Sequence, residues 1–300
     1  MDIKNVLILG GGTMGQKISI QCAMYGFNVV IYDINDEILA NTKKIVEKTA
    51  SRYQKTGVIK DASIDSIIAR ISYTSNLEEA AKNADLVNES VPEDPGLKAK
   101  IFNQLHTLCP AHTIFTTNTS TLLPSMFADK TGRPERFLAL HYHNPGSDRI
   151  VDVMPHPGTA PEMVEIVEKF SRDTGMIPIV LKKENIGYVF NSMFSALLAS
   201  ALTLAANEVT SVEDIDKAWM DMMHSFIGPF GIIDSVGIET VYKITDYWAQ
   251  KTKDKQNLKN AAFLKKYVER NELGIKTGKG FYSYPNPAYA TPGFVESIGK

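Results

Sequence analysis

His141, Asn118, Ser120, Thr121 and Asp152 are the residues of this chain best suited to handle a proton beside a bound cofactor. His141 closes an apolar run, Phe137-Leu138-Ala139-Leu140. Asn118-Thr119-Ser120-Thr121 follows a second run, and Asp152 sits in a third, Ile150-Val151-Asp152. A histidine oriented by a carboxylate is the usual general acid and base when hydride moves elsewhere. On spacing alone, a single histidine at a strand end is more often a hydrogen-bonded structural residue, so both readings stand here.

That chemistry needs several strand ends on one edge. Apolar runs dense in Val, Ile, Leu and Phe occur at Val6–Leu9, Val29–Tyr32, Ile71–Thr74, Leu86–Ser90, Thr113–Thr116, Phe137–His141, Ile150–Met154 and Ile177–Leu181. They read as strands covered on both faces. Amphipathic stretches at Asp36–Tyr53, Ser63–Ala69 and Leu97–Leu108 lie between the early ones. Such alternation predicts a Rossmann-like α/β domain with a mostly parallel sheet, whose ligands sit beyond the carboxyl ends of its strands. After Gly187 strand-like runs stop, and Tyr188–Asn207, Val212–His224, Ile232–Ala249 and Leu258–Asn271 read as helices. The expectation is an α/β domain over residues 1–185 and an all-α domain over 186–300. The tail after Phe281, rich in Pro, Gly and Tyr, reads as irregular.

The first strand runs into Gly10-Gly11-Gly12-Thr13-Met14-Gly15, a Gly-x-Gly-x-x-Gly loop opening a helix. Gly10 permits the tight turn, Gly12 lets backbone approach a pyrophosphate, and Gly15 lets helix and strand pack closely. The helix N-terminus, with Thr13 and Met14, offers free N–H groups to phosphate. Alone the motif is weak. The second strand strengthens it by ending in Asp33, at about the distance expected of a ribose-binding acid. That carboxylate, with no Arg close behind it, favours NAD over NADP.

The chain has 300 residues, 44% of them apolar and 22% charged, with a formal net charge of −2. Nothing in that balance calls for nucleic acid or a membrane surface as partner. Cys22 and Cys109 give no disulfide framework, and no Cys/His cluster has metal-ligand spacing, so no metal is expected. Asn88-Glu89-Ser90 and Asn118-Thr119-Ser120 match the glycosylation pattern. The first strand begins too near Met1 for a leader peptide, which makes the expected location cytoplasmic and those matches idle. Tyr188–Ala206 carries no charge, but its Asn, Ser and Thr residues favour a helix buried in a helical domain over a membrane span.

Taken together, the motifs resemble the 3-hydroxyacyl-CoA dehydrogenase family over nearly the whole chain. They are the glycine loop with Asp33, Val91-Pro92-Glu93-Asp94, Asn118-Thr119-Ser120, His141-Tyr142-His143-Asn144-Pro145, Gly187-Tyr188-Val189-Phe190-Asn191, Gly228-Pro229-Phe230, and Lys276-Thr277-Gly278-Lys279-Gly280-Phe281-Tyr282. The resemblance implies an NAD-binding domain, and a helical domain that forms a homodimer contact and closes the cleft. It implies catalytic roles for His141, Ser120 and Asn191, and cofactor contacts for Glu93, Lys98 and Asn118. It also implies the reaction. His141 takes the proton of a hydroxyl on the carbon β to a carbonyl while that carbon gives up hydride. Ser120 and Asn191 donate hydrogen bonds where charge develops on substrate oxygen.

The chain departs from that family at several points. Where the family pairs its histidine with a Glu on the next strand, the candidate here is Asp152, shorter by a methylene and one residue nearer; Asp148 is a weaker substitute on the intervening loop. His143 stands where an aromatic or apolar residue is usual, and Gly146-Ser147-Asp148-Arg149 is atypical. Arg149 and His143 are therefore candidates to bind a free carboxylate, or else surface residues. Met154-Pro155-His156-Pro157 and Phe226-Ile227-Gly228-Pro229 resemble the branch typified by L-gulonate 3-dehydrogenase and λ-crystallin. The segment from Lys276 resembles the short 3-hydroxybutyryl-CoA enzymes. Lys43, Lys44, Lys48 and Lys55 could meet CoA phosphates or form a solvated face. The leading expectation is oxidation of a short 3-hydroxyacyl-CoA. The alternative is a free 3-hydroxy acid, L-gulonate- or carnitine-like. A dinucleotide-binding protein without turnover fits less well, because His141, Ser120 and Asn191 are all kept.

Overall fold

The computed structural model describes residues 1–60 and 62–297, and divides into two compact units, Met1–Asn191 and the chain from Ser192 onward. The first unit is built on one eight-stranded sheet, in the order β3-β2-β1-β4-β5-β6-β7-β8. Its strands are β1 (Asn5–Leu9), β2 (Asn28–Tyr32), β3 (Ile71–Thr74), β4 (Leu86–Glu89), β5 (Ile114–Thr117), β6 (Phe137–Tyr142), β7 (Ile150–Pro155) and β8 (Ile177–Val180). The helices are α1 (Thr13–Met24), α2 (Asp36–Lys55), α3 (Ile64–Ile68), α4 (Leu77–Ala81), α5 (Pro95–Leu108) and α6 (Pro161–Asp173).

The apolar runs form strands because both faces of the sheet are covered. Along β1, Val6 and Ile8 enter one core with Ile18, Val46 and Leu138, while Leu7 and Leu9 enter another with Phe102, Phe115 and Phe137. Alternate side chains of a strand point to opposite faces, so a continuous apolar run is needed to fill two cores. Side-chain caps start several of the helices. Asn35 accepts from the Glu37 and Ile38 N–H groups at α2, and Asp94 accepts from Leu97 N–H at α5, where Pro95 follows it.

Strands β1 to β6 are parallel, but β7 runs antiparallel to β6, with His141 directly opposite Asp152. The segment joining them is too short for a parallel crossover, which needs a dozen or more residues. α4 and α6 stand where the strand-and-helix reading names no element. α4 has five residues, too few to show a period, whereas α6 buries Met163, Val167 and Phe170 at helical spacing.

The second unit consists of α7 (Phe190–Ala206, whose first two residues belong to the first unit), α8 (Val212–Met223), α9 (Pro229–Val236), α10 (Ile238–Thr252) and α11 (Lys255–Glu269). The single helix expected over 232–249 is two. Gly237, with φ of +100°, turns the chain between α9 and α10. The tail is irregular as expected up to Ser297, and residues 298–300 lie outside the described residues. Its start is nonetheless tightly held. Asp234 accepts from the Phe281 and Tyr282 N–H groups and from Tyr284 Oη, and Asp216 accepts from Phe230 N–H, Gly231 N–H and Tyr282 Oη. Among the described residues no helix is long and apolar enough to cross a membrane.

Candidate active site

The strand order reverses beside β1, between β1 and β4, and the glycine loop sits at that point. Gly10 has φ of +101°, and a Cβ there would lie 2.7 Å from the Ser90 carbonyl oxygen. A Cβ on Gly15 would lie 1.9 Å from the Gly10 carbonyl oxygen, so only glycine lets α1 close on the turn. A Cβ on Gly12, at the N-cap of α1, would meet nothing within 4 Å. That open space before a helix N-terminus is where a pyrophosphate fits. Asp33, at the end of β2, accepts from Gly11 N–H at 2.7 Å and Ile34 N–H at 2.8 Å, which ties its carboxylate to the loop. Thr13 and Met14 form the first turn of α1. These residues fit a bound dinucleotide.

The proton-handling residues gather at the end of β6. His141 Nε2 lies 3.2 Å from Ser120 Oγ, and its Nδ1 lies 3.2 Å from Asp152 Oδ2. The antiparallel register brings the carboxylate within reach despite its missing methylene, because directly opposed residues place their side chains on one face. An ionised carboxylate only accepts, so His141 carries its proton on Nδ1 and presents Nε2 as acceptor to the Ser120 hydroxyl. Burial lowers the proton affinity of His141, and the neighbouring His143 adds to this, while the hydrogen bond to Asp152 opposes it; the net shift is downward. Burial acts the other way on Asp152, yet the bonds from His141 and His143 prevail and hold it below the usual carboxylate range. The Tyr188 ring packs against His141 with centroids 4.7 Å apart.

The other expected site residues are placed differently from one another. Asn118 turns its amide oxygen to Tyr142 N–H at 2.8 Å, tying the end of β5 to β6 and leaving only its NH₂ to donate. Asn191 lies in the first turn of α7, and no hydrogen bond among the described residues joins it to His141 or Ser120. Glu93 is partly exposed and accepts from Thr119 and Thr121. Burial pushes its carboxyl upward, but Thr119 and Lys98 outweigh that and leave it lowered. Lys98 is wholly buried, bonded to Glu89 and 3.3 Å from Glu93.

One residue of this edge, Glu89, went unread in the sequence as a site residue. It is visible there as part of the strand reading Leu86–Ser90 and of a glycosylation match, and its place at the end of β4 puts it on the carboxyl edge of the sheet. Asp148 makes no bond to His141; Arg149 is exposed, with Nε 3.4 Å from the Gly175 carbonyl. His143, considered as a candidate to bind a free carboxylate, has its Nε2 2.9 Å from Asp152 Oδ2. One nitrogen or oxygen atom from each of His141, His143 and Asp152 lies within 4.8 Å of the other two, and both histidines are hydrogen-bonded to Asp152. Lys43, Lys44, Lys48 and Lys55 are all exposed on α2. Cys22 and Cys109 are free and buried, and burial pushes both thiols up to about 12.

Comparison with known proteins bears on the whole chain. Residues 5–185 match the family model described as 3-hydroxyacyl-CoA dehydrogenase, NAD binding domain, and residues 187–284 the corresponding C-terminal domain. The chain is 31% identical over 288 residues to the mitochondrial hydroxyacyl-coenzyme A dehydrogenase of Homo sapiens, covering 94% of this chain and 91% of that protein. It is 31% identical over 285 residues to a probable 3-hydroxybutyryl-CoA dehydrogenase of Bacillus subtilis, covering 95% and 98%. Among solved structures, one described under substrate-directed dual catalysis of dicarbonyl compounds by diketoreductase is similar at 41% identity and a TM-score of 0.87, covering 95% of this chain and 100% of that one. The (S)-3-hydroxybutyryl-CoA dehydrogenase of Ralstonia eutropha is similar at 28% identity and a TM-score of 0.85, with the same coverage. A dinucleotide cradle at the sheet's switch point and matches to both domain models lead to one conclusion: this chain belongs to the 3-hydroxyacyl-CoA dehydrogenase family of NAD-dependent oxidoreductases.

Proposed function

We propose that this protein interconverts a 3-hydroxy and a 3-oxo compound, with His141 as the group that takes and returns the alcohol proton. The observation that carries this reading is the row Ser120 Oγ, His141 Nε2, His141 Nδ1, Asp152 Oδ2, with 3.2 Å at each hydrogen bond. NAD, when bound, supplies the hydride chemistry. In the oxidative direction Nε2 accepts the hydroxyl proton, and Asp152 stabilises the imidazolium that results. Ser120 donates to the substrate oxygen as charge develops on it, and Asn191 is proposed as a second donor. In reduction His141 Nε2 gives the proton back.

The preferred substrate is proposed to be a short 3-hydroxyacyl-CoA, which the names of the Bacillus subtilis and Ralstonia eutropha relatives support. A second reading, the same chemistry on a CoA-free dicarbonyl or 3-hydroxy acid, draws support from the 41% identity to the diketoreductase structure. NADH absorbance with acetoacetyl-CoA, a free dicarbonyl, gulonate and carnitine separates them. Turnover of the thioester supports the first, turnover of CoA-free compounds alone supports the second, and no turnover with any of them overturns both. His141→Ala is expected to lose roughly 10²–10⁴-fold in rate while still binding NADH; near-normal turnover would remove His141 from this role. A homodimer is also proposed, on the apolar side chains left exposed in the helical unit, among them Met193, Met222, Phe226, Ile244 and Tyr247. A monomeric mass by light scattering would reject it.

A further inference from the structure

One oxygen of Asp152 does the work of two. Oδ2 faces His141 Nδ1 at 3.2 Å and His143 Nε2 at 2.9 Å, whereas Oδ1 is buried with no hydrogen-bond partner. The carboxylate is wholly buried, and its two partners are nearly so, with side-chain exposures of 4% for His141 and 14% for His143. His141 and His143 are two residues apart at the end of β6, so their rings share a face, with centroids 4.4 Å apart. His143 is itself fixed. Its ring meets Phe190 edge-on at 5.6 Å, and the segment that follows is fastened to the first unit by Lys17 to Asn144 and by Tyr53 Oη to the Pro145 carbonyl.

We propose that His143 is a positioning residue for the proton transfer, holding the short Asp152 side chain beneath His141 by a second hydrogen bond to the same oxygen. This rests on the reading of His141 as the proton-transfer group. The physical consequence is a linked pair. Neutral His143 donates to Oδ2 and leaves the carboxylate's charge to support an imidazolium at His141. Charged His143 competes for that support and repels the imidazolium directly, so a proton on one ring opposes a proton on the other. Among the described residues, the groups seen facing His141 are Asp152, His143, Ser120, the Tyr188 ring and the charge of Glu93, and those seen facing His143 are Asp152, His141 and the Phe190 ring. No cation among them would mask the effect of removing His143.

The test follows His141 by NMR, with histidine labelled at Cε1, across a pH titration of the full chain. Wild type is compared with His143→Phe and His143→Gln, and the pH profile of kcat/KM is measured on the same samples. Both variants are expected to move the His141 midpoint to higher pH and to simplify its curve to one step. The acid limb of oxidation should follow it upward. His143→Gln, whose amide can still donate to Asp152, should retain more of the plateau rate than His143→Phe. A His141 midpoint that stays put or falls in the variants overturns the proposal, and His143→Gln alone decides if the Phe variant does not fold. If the midpoint moves but the kinetic limb does not, the linkage stands and the assignment of His141 as the base fails.

Discussion

Lys98 Nζ lies 2.7 and 2.9 Å from the two carboxylate oxygens of Glu89, and both side chains are wholly buried. Thr117 Oγ1 and Val91 N–H also donate to Glu89. Burial pushes the Glu89 carboxyl upward against the pull of Lys98 and these donors. The pair fastens the first turn of α5 to the end of β4, beside the glycine loop. Lys98→Met leaves an uncompensated buried carboxylate, a change that destabilises by about 3–5 kcal/mol. Denaturant unfolding should show that loss, and the double variant Glu89→Gln/Lys98→Met should recover part of it. A Lys98→Met protein as stable as wild type would mean that the ion pair does not hold this edge together.

Asp152→Asn tests the other carboxylate. An amide can present its NH₂ to His141 Nδ1 and so favour the wrong tautomer. The expected loss in kcat is roughly 10²–10⁴-fold, with NADH affinity unchanged. The pH dependence has a definite sign. In the proposed role His141 can act as base only above its folded pKa, which burial puts below the usual 6.5, so wild-type oxidation should fail on acidification with a midpoint below that value. Asp152 opposes the downward shift, and the Asn variant should therefore have its limb lower still. A limb above the ordinary imidazole value in wild type would contradict the buried, neutral histidine.

Two glycines of one loop should behave differently. Gly12→Ala places its Cβ in open space, with no contact within 4 Å, in backbone that any residue adopts. Its melting temperature should stay close to wild type while NAD affinity falls. Gly15→Ala drives a Cβ to 1.9 Å from the Gly10 carbonyl and should lower both. Calorimetry and cofactor titration measure the two effects. Equal damage by both variants would argue against a ligand filling the space at Gly12.

In the helical unit, burial pushes Asp216 up to about 6 against the hydrogen bonds of Phe230, Gly231 and Tyr282. The folded state therefore holds a proton that an unfolded Asp, at 3.8, has released. Stability from this group falls as pH rises from the lower value to the higher. Asp216→Asn cannot titrate, so its stability curve should lack that decline relative to wild type. Parallel curves for the two proteins between those pH values would show that Asp216 is charged throughout.

The sequence by itself determined the sheet and the cofactor loop. Short apolar runs bounded by turn residues suit strands covered on both faces, and Gly10 and Gly15 answer a backbone need that no other residue type meets, while Gly12 leaves open space for a ligand. It also put His141, Ser120 and Asn118 on the carboxyl edge, because strand ends follow directly from strand periodicity. Only the tertiary structure decided what those residues touch. Whether Asp152 could reach His141 depended on the antiparallel register of β6 and β7 and could not be counted along the chain. The bond of the Lys98 ammonium to Glu89 likewise arises only when β4 meets α5. His143 carries no pattern that names its partner. Hydrogen bonds between side chains depend on distances of a few tenths of an ångström, and those are fixed by packing among segments far apart in sequence.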